Sequence, residues 1–352
     1  MNVDWNWIKQ RPHFLALGLS HDYDVCVMYP ISLHRSRLQE HNDTGNIKRC
    51  IPFFVFPFES KLKISELINN IIQRILFSIT IYFFKPDYIW FCYPRFFYKV
   101  PKQNTKVIYD CMDNHYDMLP TDKLKRIISL HEKRLVTSAD LIFTSSDALK
   151  GRILSCFIKK QNTQVQTIHN AFSGEIINIE YAVNSGIRLK IAYIGTVSNW
   201  FDNDLIEKSL DNNSEIEYFI IGPAEIRYKK IKNTRVHYLG QIEHADLYDT
   251  IRDYDCLVMP FIINNIIKYV DPVKLYEYVN FNKNIICPYY DEIKKFKKFI
   301  YCYSSYSEYY AILKHLAHDN KLKYSKETRF AFLKENSWTT RIAEAQNFLH
   351  CL

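Results

Sequence analysis

Short apolar runs alternate with amphipathic stretches along the first half of the chain. Runs of four or five mostly apolar residues predict strands at Val25–Tyr29, Tyr88–Cys92, Lys106–Tyr109, Leu141–Thr144 and Val165–Ile168. Between these runs, apolar residues that recur every three or four positions predict helices at Arg11–Leu19, Lys63–Phe77 and Asp122–Val136. Strands that alternate with helices are typical of a parallel sheet with crossover helices.

The same alternation begins again after a break. The segment Glu175–Leu189 is rich in Asn, Ser and Gly, has little periodicity, and therefore predicts a domain boundary. Beyond it, strands are predicted at Lys190–Ile194, Glu217–Ile221, Val236–Leu239, Cys256–Pro260 and Asn284–Cys287, and helices at Asp204–Ser209, Ala245–Arg252 and Val273–Val279. A final helix is predicted at about Thr339–Leu349, after Ser337, a residue type that caps helices.

This pattern predicts two doubly wound α/β domains in series, at residues 1–175 and 186–335, with a C-terminal helix within 336–352. In such sheets, ligands bind beyond the carboxyl ends of the strands. Three predicted strands of the second domain end at a glycine, namely Gly195, Gly222 and Gly240. One feature departs from the pattern. A Rossmann-like domain opens with a buried strand, and Met1-Asn2-Val3 leaves almost no room for one.

The length and composition fit a two-domain globular protein. A chain of 352 residues suits two domains better than one, and 47% hydrophobic with 24% charged residues is a normal globular balance. None of the nine cysteines lies in a C-x-x-C pair, so a zinc site is not expected. The cysteines are expected to be reduced thiols. Met1 leads straight into polar residues rather than into a signal peptide, which predicts a cytoplasmic protein.

Charge is unevenly spread along the chain. Residues 1–175 hold 23 Lys and Arg against 16 Asp and Glu, a net charge of +7, whereas the remainder holds 23 against 22. A basic half suggests an acidic partner, such as an anionic membrane surface, a lipid diphosphate or nucleic acid, and a solvated basic surface is the other interpretation. Nucleic acid is disfavoured, because no basic motif or aromatic platform stands out.

The most apolar stretch is Ile71–Phe84, which carries Arg74. It is shorter than the roughly 20 apolar residues that a membrane-spanning helix needs. Two interpretations stand: a buried helix, or a helix that lies on a membrane surface at the inner face of the plasma membrane.

A strand followed by a helix in the second half has a spacing that suits an anion. Asp255–Phe261 predicts a buried strand, and Asp271–Tyr278 then opens a helix with Pro272 in its first turn. A helix start presents free N–H groups to phosphate, Lys274 adds a charge, and Glu277 lies one turn further along. On spacing alone, a capped surface helix with a Lys–Glu pair fits equally well.

The phrase Pro272–Tyr278 fits the pattern P-x-K-[LF]-x-E-Y, and it follows a strand that ends in Pro260-Phe261. Further phrases of one pattern occur in order along the chain: Trp5–His13, Val107–Asp113, Glu132–Asp140, Ile168–Ala171, Ile194–Asp202, Val236–Gly240 and Ser337-Trp338. In these phrases the chain resembles bacterial GT-B glycosyltransferases of capsule, O-antigen and teichuronic-acid synthesis. The resemblance implies two Rossmann-like domains that face a cleft, with the C-terminal helix crossing back to the N-terminal domain.

The resemblance also implies a donor site for a UDP- or GDP-sugar. Its residues would be Gly195, Thr196, Gly222, Gly240, Pro272, Val273, Lys274 and Glu277. Glu277 would hold the ribose, and Lys274 with the helix start would face the diphosphate. Gly195 and Thr196 would approach the phosphates or the donor sugar, and Gly240 would lie at the base.

A glycan or lipid-linked acceptor and surface polysaccharide synthesis are the remaining implications, without a metal cofactor. The triplet Asp202-Asn-Asp204 precedes a helix, where Asp is an expected cap rather than a metal ligand. The chain departs from retaining relatives at Tyr269, where many carry a second Glu, so the stereochemistry stays open. A nucleotide-sugar epimerase of the same fold and a catalytically idle scaffold subunit are the alternative functions.

Four residues of the first domain are candidates for acceptor chemistry. Asp110 and Asp113 follow a predicted strand, and either carboxylate, Asp113 before Asp110, could act as general base. Arg11 and His13 begin the first helix and could reach a donor or acceptor phosphate or take part in catalysis. The alternatives are turn capping for the two aspartates and a buried packing role for His13.

Overall fold

A computed structural model describes residues 1, 3–31, 43–55, 63–97, 104–157, 162–178, 188–225, 228–243 and 246–352. The chain divides into two compact units, Met1–Asn170 with Trp338–Leu352, and Ala171–Ser337. The sequence places residues 171–175 in the first domain, but the Phe172 N–H donates to the Asn336 carbonyl at 2.8 Å, which ties this segment to the second unit. Most of the predicted boundary segment, 179–187, lies outside the described residues.

The first unit alternates strands and helices as the apolar pattern predicts. Its elements are α1 (Arg11–Leu19), β1 (Cys26–Ile31), β2 (Arg49–Phe54), α2 (Lys63–Phe84), β3 (Tyr88–Phe91), β4 (Lys106–Cys111), α3 (Asp122–Ser138), β5 (Leu141–Thr144), α4 (Asp147–Cys156), β6 (Gln164–Thr167) and α10 (Trp338–His350). Strands β3, β4, β5 and β6 form a parallel sheet in that order. The prediction missed β2, because Pro52 interrupts an apolar run that forms an edge strand.

Strands β1 and β2 form a separate parallel pair. In the described part of the chain no strand joins β1 to β3, and a cavity of about 590 Å³ lies beside both of them, bordered also by α1 and α2. The terminal amine of Met1 enters this region and donates to the Met28 carbonyl of β1 at 2.8 Å. The amino-terminal residue thus lies against β1 and adds no strand to the two sheets among the described residues.

Helix α2 differs from its prediction in length and in exposure. It runs to Phe84 rather than Phe77, and large apolar side chains point away from the unit, with Ile75 54% and Phe83 70% exposed. The interpretation as a buried helix is therefore wrong. Among the described residues, Ile64–Phe84 is the one stretch whose length and composition would allow it to cross a membrane, so the expectation that it is too short is also wrong.

The C-terminal helix α10 packs on α1 of the first unit. A side chain at Gly18 would overlap Ile342, with Cβ only 2.6 Å from Cγ1, so the glycine allows the two helices to approach closely. Phe14 and Trp338 stack with ring centres 4.9 Å apart. The predicted return of this helix to the N-terminal domain is confirmed.

The second unit contains one six-stranded parallel sheet in the order β12-β11-β10-β7-β8-β9. Its elements are β7 (Leu189–Ile194), α5 (Asn203–Asn212), β8 (Ile216–Ile221), β9 (Val236–Gly240), α6 (Leu247–Arg252), β10 (Cys256–Val258), α7 (Val273–Asn280), β11 (Asn284–Pro288), β12 (Ile300–Tyr303), α8 (Tyr306–His318) and α9 (Lys326–Glu335). The strand order reverses beside β7, as in a doubly wound sheet. The predicted helix start at Ala245 lies outside the described residues.

Candidate functional site

Three adjacent strands of the second unit, β7, β8 and β9, end at glycines. The carboxyl ends of these parallel strands form one edge of the sheet. Gly195, Gly222 and Gly240 have φ angles of 138°, 132° and 74°, a region that favours glycine. The Gly195 N–H donates to the Ile221 carbonyl at 2.8 Å, and the Gly222 N–H to the Gly240 carbonyl at 2.7 Å. A Cβ on Gly222 would lie 2.7 Å from the Gly195 carbonyl carbon, so the strand ends approach too closely for side chains.

Helix α7 begins beside this edge. Pro272 is its N-cap rather than a first-turn residue, a shift of one position from the prediction, and Val273 is the first helical residue and is exposed. The buried carboxylate of Asp271 precedes the helix and pairs with the Lys295 ammonium at 2.5 Å. This ion pair fixes the position of the helix start, where N–H groups have no earlier carbonyl in the helix to bond.

Lys274 lies over the end of β7. A Cβ on Gly195 would be 2.9 Å from Lys274 Cε and would overlap the ammonium, so the glycine leaves room for this side chain. Lys274 Nζ donates to the Tyr193 hydroxyl at 3.1 Å and lies 4.4 Å from the centre of that ring. Burial lowers the pKa of Lys274 to about 8, and the nearby charge of Glu277 opposes the shift only in part.

Glu277 is half-buried one turn after Lys274 and borders a cavity of about 360 Å³, together with Tyr248 and Phe281. Gly195, Gly222, Gly240, Val273, Lys274 and Glu277 thus lie at or beside one edge of one unit. Thr196 is exposed in the same loop, and its carbonyl accepts from the Tyr193 hydroxyl at 2.8 Å.

Two tyrosines support this edge, and sequence reasoning gave neither a role. Tyr193 holds both Lys274 and the loop carbonyl of Thr196. The Tyr278 hydroxyl accepts the Ile194 N–H at 2.9 Å, and this joins α7 to the end of β7. The signal for Tyr278 was its place in the Pro272–Tyr278 phrase, whereas nothing local marked Tyr193.

Asp202 caps α5, with its carboxylate accepting the Leu205 N–H at 2.9 Å.

Arg11 and Asp110 form a buried ion pair in the first unit. Arg11 Nη2 lies 2.8 Å from Asp110 Oδ1, and Arg11 Nη1 donates to the Ile168 carbonyl at 2.6 Å. Asp110 is fully buried and Arg11 is 6% exposed. The pair connects α1 to the ends of β4 and β6, so the structure gives both residues a structural role and neither the predicted access to substrate.

His13 is fully buried near the start of α1. Its Nδ1 accepts the Gln10 N–H at 3.1 Å, which leaves the proton on Nε2 to donate to the Asp4 carbonyl at 3.3 Å. Burial lowers the pKa of His13, so the ring is neutral. The ring also packs on Trp5 with centres 5.0 Å apart. The structure therefore supports the packing alternative for His13 over the catalytic one.

Asp113 is the one first-unit candidate that is partly exposed. Burial raises the pKa of its carboxyl, and the charges of His115 and Arg11 oppose this shift. The buried His115, whose pKa burial lowers, lies two residues further along and packs edge-on against Tyr93 with ring centres 4.9 Å apart. Sequence reasoning did not single out His115, whose charge opposes the rise in the Asp113 pKa. Its spacing from Asp113 after a strand was the available signal.

The doubly wound parallel sheet of the second unit, the parallel sheet of the first and the returning C-terminal helix together define the GT-B fold. Solved proteins with this fold match the chain almost end to end, at low identity. No protein-family profile and no curated protein sequence matches the chain.

Three solved structures illustrate the likeness. Anabaena Alr3699/HepE in complex with UDP and glucose is 12% identical, with a TM-score of 0.63 over 100% of this chain and 99% of that one. The lipopolysaccharide outer core galactosyltransferase WaaB is 12% identical, with a TM-score of 0.66 over 100% and 99%. Sucrose-phosphate synthase from Thermosynechococcus elongatus is 11% identical, with a TM-score of 0.67 over 96% and 91%. The shared feature is the fold.

Proposed function

We propose that this protein is a glycosyltransferase whose donor is a nucleotide-diphosphate sugar bound at the Gly195–Lys274–Glu277 edge of the second unit. The observation that carries the proposal is the position of Lys274. Its ammonium lies over a glycine strand end, in the first turn of α7, and the Glu277 charge offsets the effect of burial on its pKa only in part. A diphosphate would supply the missing negative charge, and the helix start adds N–H donors.

The remaining groups fit the other parts of such a donor. The Glu277 carboxylate could accept hydrogen bonds from two ribose hydroxyls, and the cavity that it borders could receive the nucleoside. Transfer of the sugar leaves a diphosphate with an additional charge. Fixed N–H groups and the Lys274 ammonium would stabilise that charge without reorganising.

The acceptor side of the reaction is assigned to the first unit. Asp113 would act as general base on the acceptor hydroxyl if the reaction inverts the anomeric centre, and its raised pKa suits that role. If the reaction retains the configuration, the donor phosphate itself would take the proton. The buried Asp110 is not proposed as the base.

The donor base, the pathway and the location are finer proposals. HepE has been solved with UDP, with UDP and glucose, and with UDP-glucose, which favours UDP as the first nucleotide to test. We propose a glycan or lipid-linked acceptor in surface polysaccharide synthesis, at the cytoplasmic side of the membrane. Lys274 and α7 would replace a metal at the diphosphate, so turnover is expected to persist in a chelator.

Calorimetric titration of UDP and GDP tests the donor site. Replacing Glu277 by Ala should weaken binding of the preferred nucleotide by about 1.5–3 kcal/mol, roughly tenfold to a hundredfold, because a charge-assisted hydrogen bond is lost. Glu207→Ala on the exposed side of α5 is the matched control and should bind as the wild type does. A dideoxyribose analogue should bind equally well to the wild type and to Glu277→Ala.

Unchanged nucleotide affinity in Glu277→Ala would contradict the site. Incubation with a UDP-sugar and no acceptor separates the activities: an isomerised sugar nucleotide would identify an epimerase instead. A protein that binds UDP but transfers no sugar to any glycan or lipid-linked acceptor would fit the scaffold alternative.

A further inference from the structure

Helix α2 exposes apolar side chains and buries polar ones. We define the α2 stripe as its large exposed apolar residues, Ile64, Leu67, Ile68, Ile71, Ile75, Ile79, Tyr82 and Phe83. They recur every three or four positions and so lie on one side of the helix. On the opposite side, Asn69 is fully buried and Gln73 is 7% exposed. An amphipathic helix at a water-exposed surface has the reverse arrangement, so the stripe is suited to an apolar environment.

The buried side of α2 is fastened to the first unit. The Glu66 carboxylate lies 3.8 Å from Arg95 Nη2, and the Phe77 ring lies 5.9 Å from the Phe91 ring of β3. The helix has 22 residues and is therefore about 33 Å long. Because it packs sideways against the unit, it can lie along a bilayer surface but cannot cross the bilayer without leaving the fold.

The exposed charged side chains of α2 and α3 are mostly basic. Arg74 is the one charged residue among the exposed positions of 64–83. On α3 the exposed charged side chains are Asp122, Lys123, Arg126, Lys133 and Arg134. Glu132 is buried in an ion pair with Arg152 at 2.6 Å. Helix α3 packs against the segment Pro94–Phe96, and Arg95 of that segment pairs with Glu66 of α2, so the basic residues of α3 lie beside α2.

We propose that the α2 stripe inserts into the interface of an anionic lipid bilayer, with the exposed basic side of α3 over the headgroups. A bilayer of this kind combines an apolar interior with a negative surface, which matches both features. Two copies packed stripe to stripe would bring Arg74 and the basic side of α3 against their own like charges, and this disfavours self-association. The inference does not depend on the donor site.

Vesicle flotation of the whole protein at low salt tests the proposal. The protein should float with vesicles that contain phosphatidylglycerol and much less with phosphatidylcholine alone. The double variant Ile75→Asp, Ile79→Asp should lower the apparent affinity by about tenfold or more, because two inserted side chains are lost. Lys133→Gln with Arg134→Gln should lower it by about fivefold or more, and only with the anionic vesicles.

Leu154→Asp is the matched control. Leu154 is an apolar residue 46% exposed on α4 of the same unit, and this variant should float as the wild type does. Thermal unfolding of each variant checks that the fold is kept. Three results would overturn the proposal: no flotation at low salt, equal flotation of the stripe variant and the control, or membranes from which alkaline carbonate fails to release the protein. A dimer that the stripe variant dissociates, without vesicle binding, would assign the stripe to a second copy instead.

Discussion

Lys274 shows how packing changes the chemistry of one side chain. The Tyr193 and Phe261 ring centres lie 4.4 and 5.5 Å from its Nζ, and burial lowers its pKa from 10.5 to about 8. A lysine in water keeps its proton throughout the neutral range. Here the ammonium begins to lose its proton just above neutral pH, unless an anion binds beside it.

This lowered pKa predicts a pH-dependent affinity for UDP. The protonated form binds the diphosphate, so affinity should fall as the pH rises through about 8. Proton uptake on binding should appear above that pH, since the bound anion favours the charged form. Lys274→Met should bind UDP about tenfold to a hundredfold more weakly than the wild type at neutral pH. Its affinity should not fall further as the pH rises through about 8, because the titrating lysine is gone. Calorimetry in buffers of different ionisation enthalpy measures both effects. A wild-type affinity that stays constant across this range would contradict the assignment.

At the scale of elements, the ends of β7 and β8 approach more closely than side chains allow. Gly222 adopts a φ of 132°, and a Cβ there would overlap the Gly195 carbonyl group. The approach lets Lys274 and the loop at Thr196 share one edge of the sheet. Loss of this spacing should therefore affect stability and nucleotide binding together.

Gly222→Ala should lower the free energy of unfolding by about 2–4 kcal/mol through backbone strain and overlap. It should also weaken UDP binding. Gly151→Ala is the matched control, because a Cβ at this helical position of α4 meets nothing within 4 Å. That change should raise the stability by about 0.5–1 kcal/mol through helix propensity. Denaturant unfolding of both variants measures the difference, and equal stabilities would show that the close approach is not needed.

Element existence was largely predictable from the sequence, and element surroundings were not. Leu141–Thr144 and Arg11–Leu19 were predicted with their observed bounds, because apolar periodicity and a Pro near the helix start are local signals. Helix α2 was predicted seven residues too short. Of its two interpretations, the buried helix was wrong. Periodicity shows that a helix has an apolar side, but it does not show whether that side meets protein, lipid or water.

At the scale of the whole molecule, each of the two units has its own buried core. In the second unit, apolar clusters lie on both faces of the sheet, around Leu275 and Tyr278 on one side and around Tyr218 and Tyr309 on the other. The first unit is completed by the C-terminal helix, whose Ala345 packs with the β5 residues. All proposed donor residues lie in the second unit.

The second unit alone, Ala171–Ser337, is therefore expected to fold and to bind UDP within about tenfold of the affinity of the whole chain. Circular dichroism checks that the fragment folds, and calorimetry measures binding. The same fragment with Glu277→Ala should bind much more weakly. A folded fragment that does not bind UDP would show that the donor site needs residues of the first unit.

The sequence by itself determined the parallel α/β architecture through local apolar alternation, and its resemblance to GT-B glycosyltransferases supplied the donor candidates. Apolar alternation places the strands, and Lys274 and Glu277 lie within one short helix that begins after Pro272. Only the tertiary structure decided which polar residues are accessible. Arg11 meets Asp110 from 99 positions away, and Lys274 meets Tyr193 from 81 positions away. Burial and pKa follow from such long-range contacts, and no local pattern encodes them.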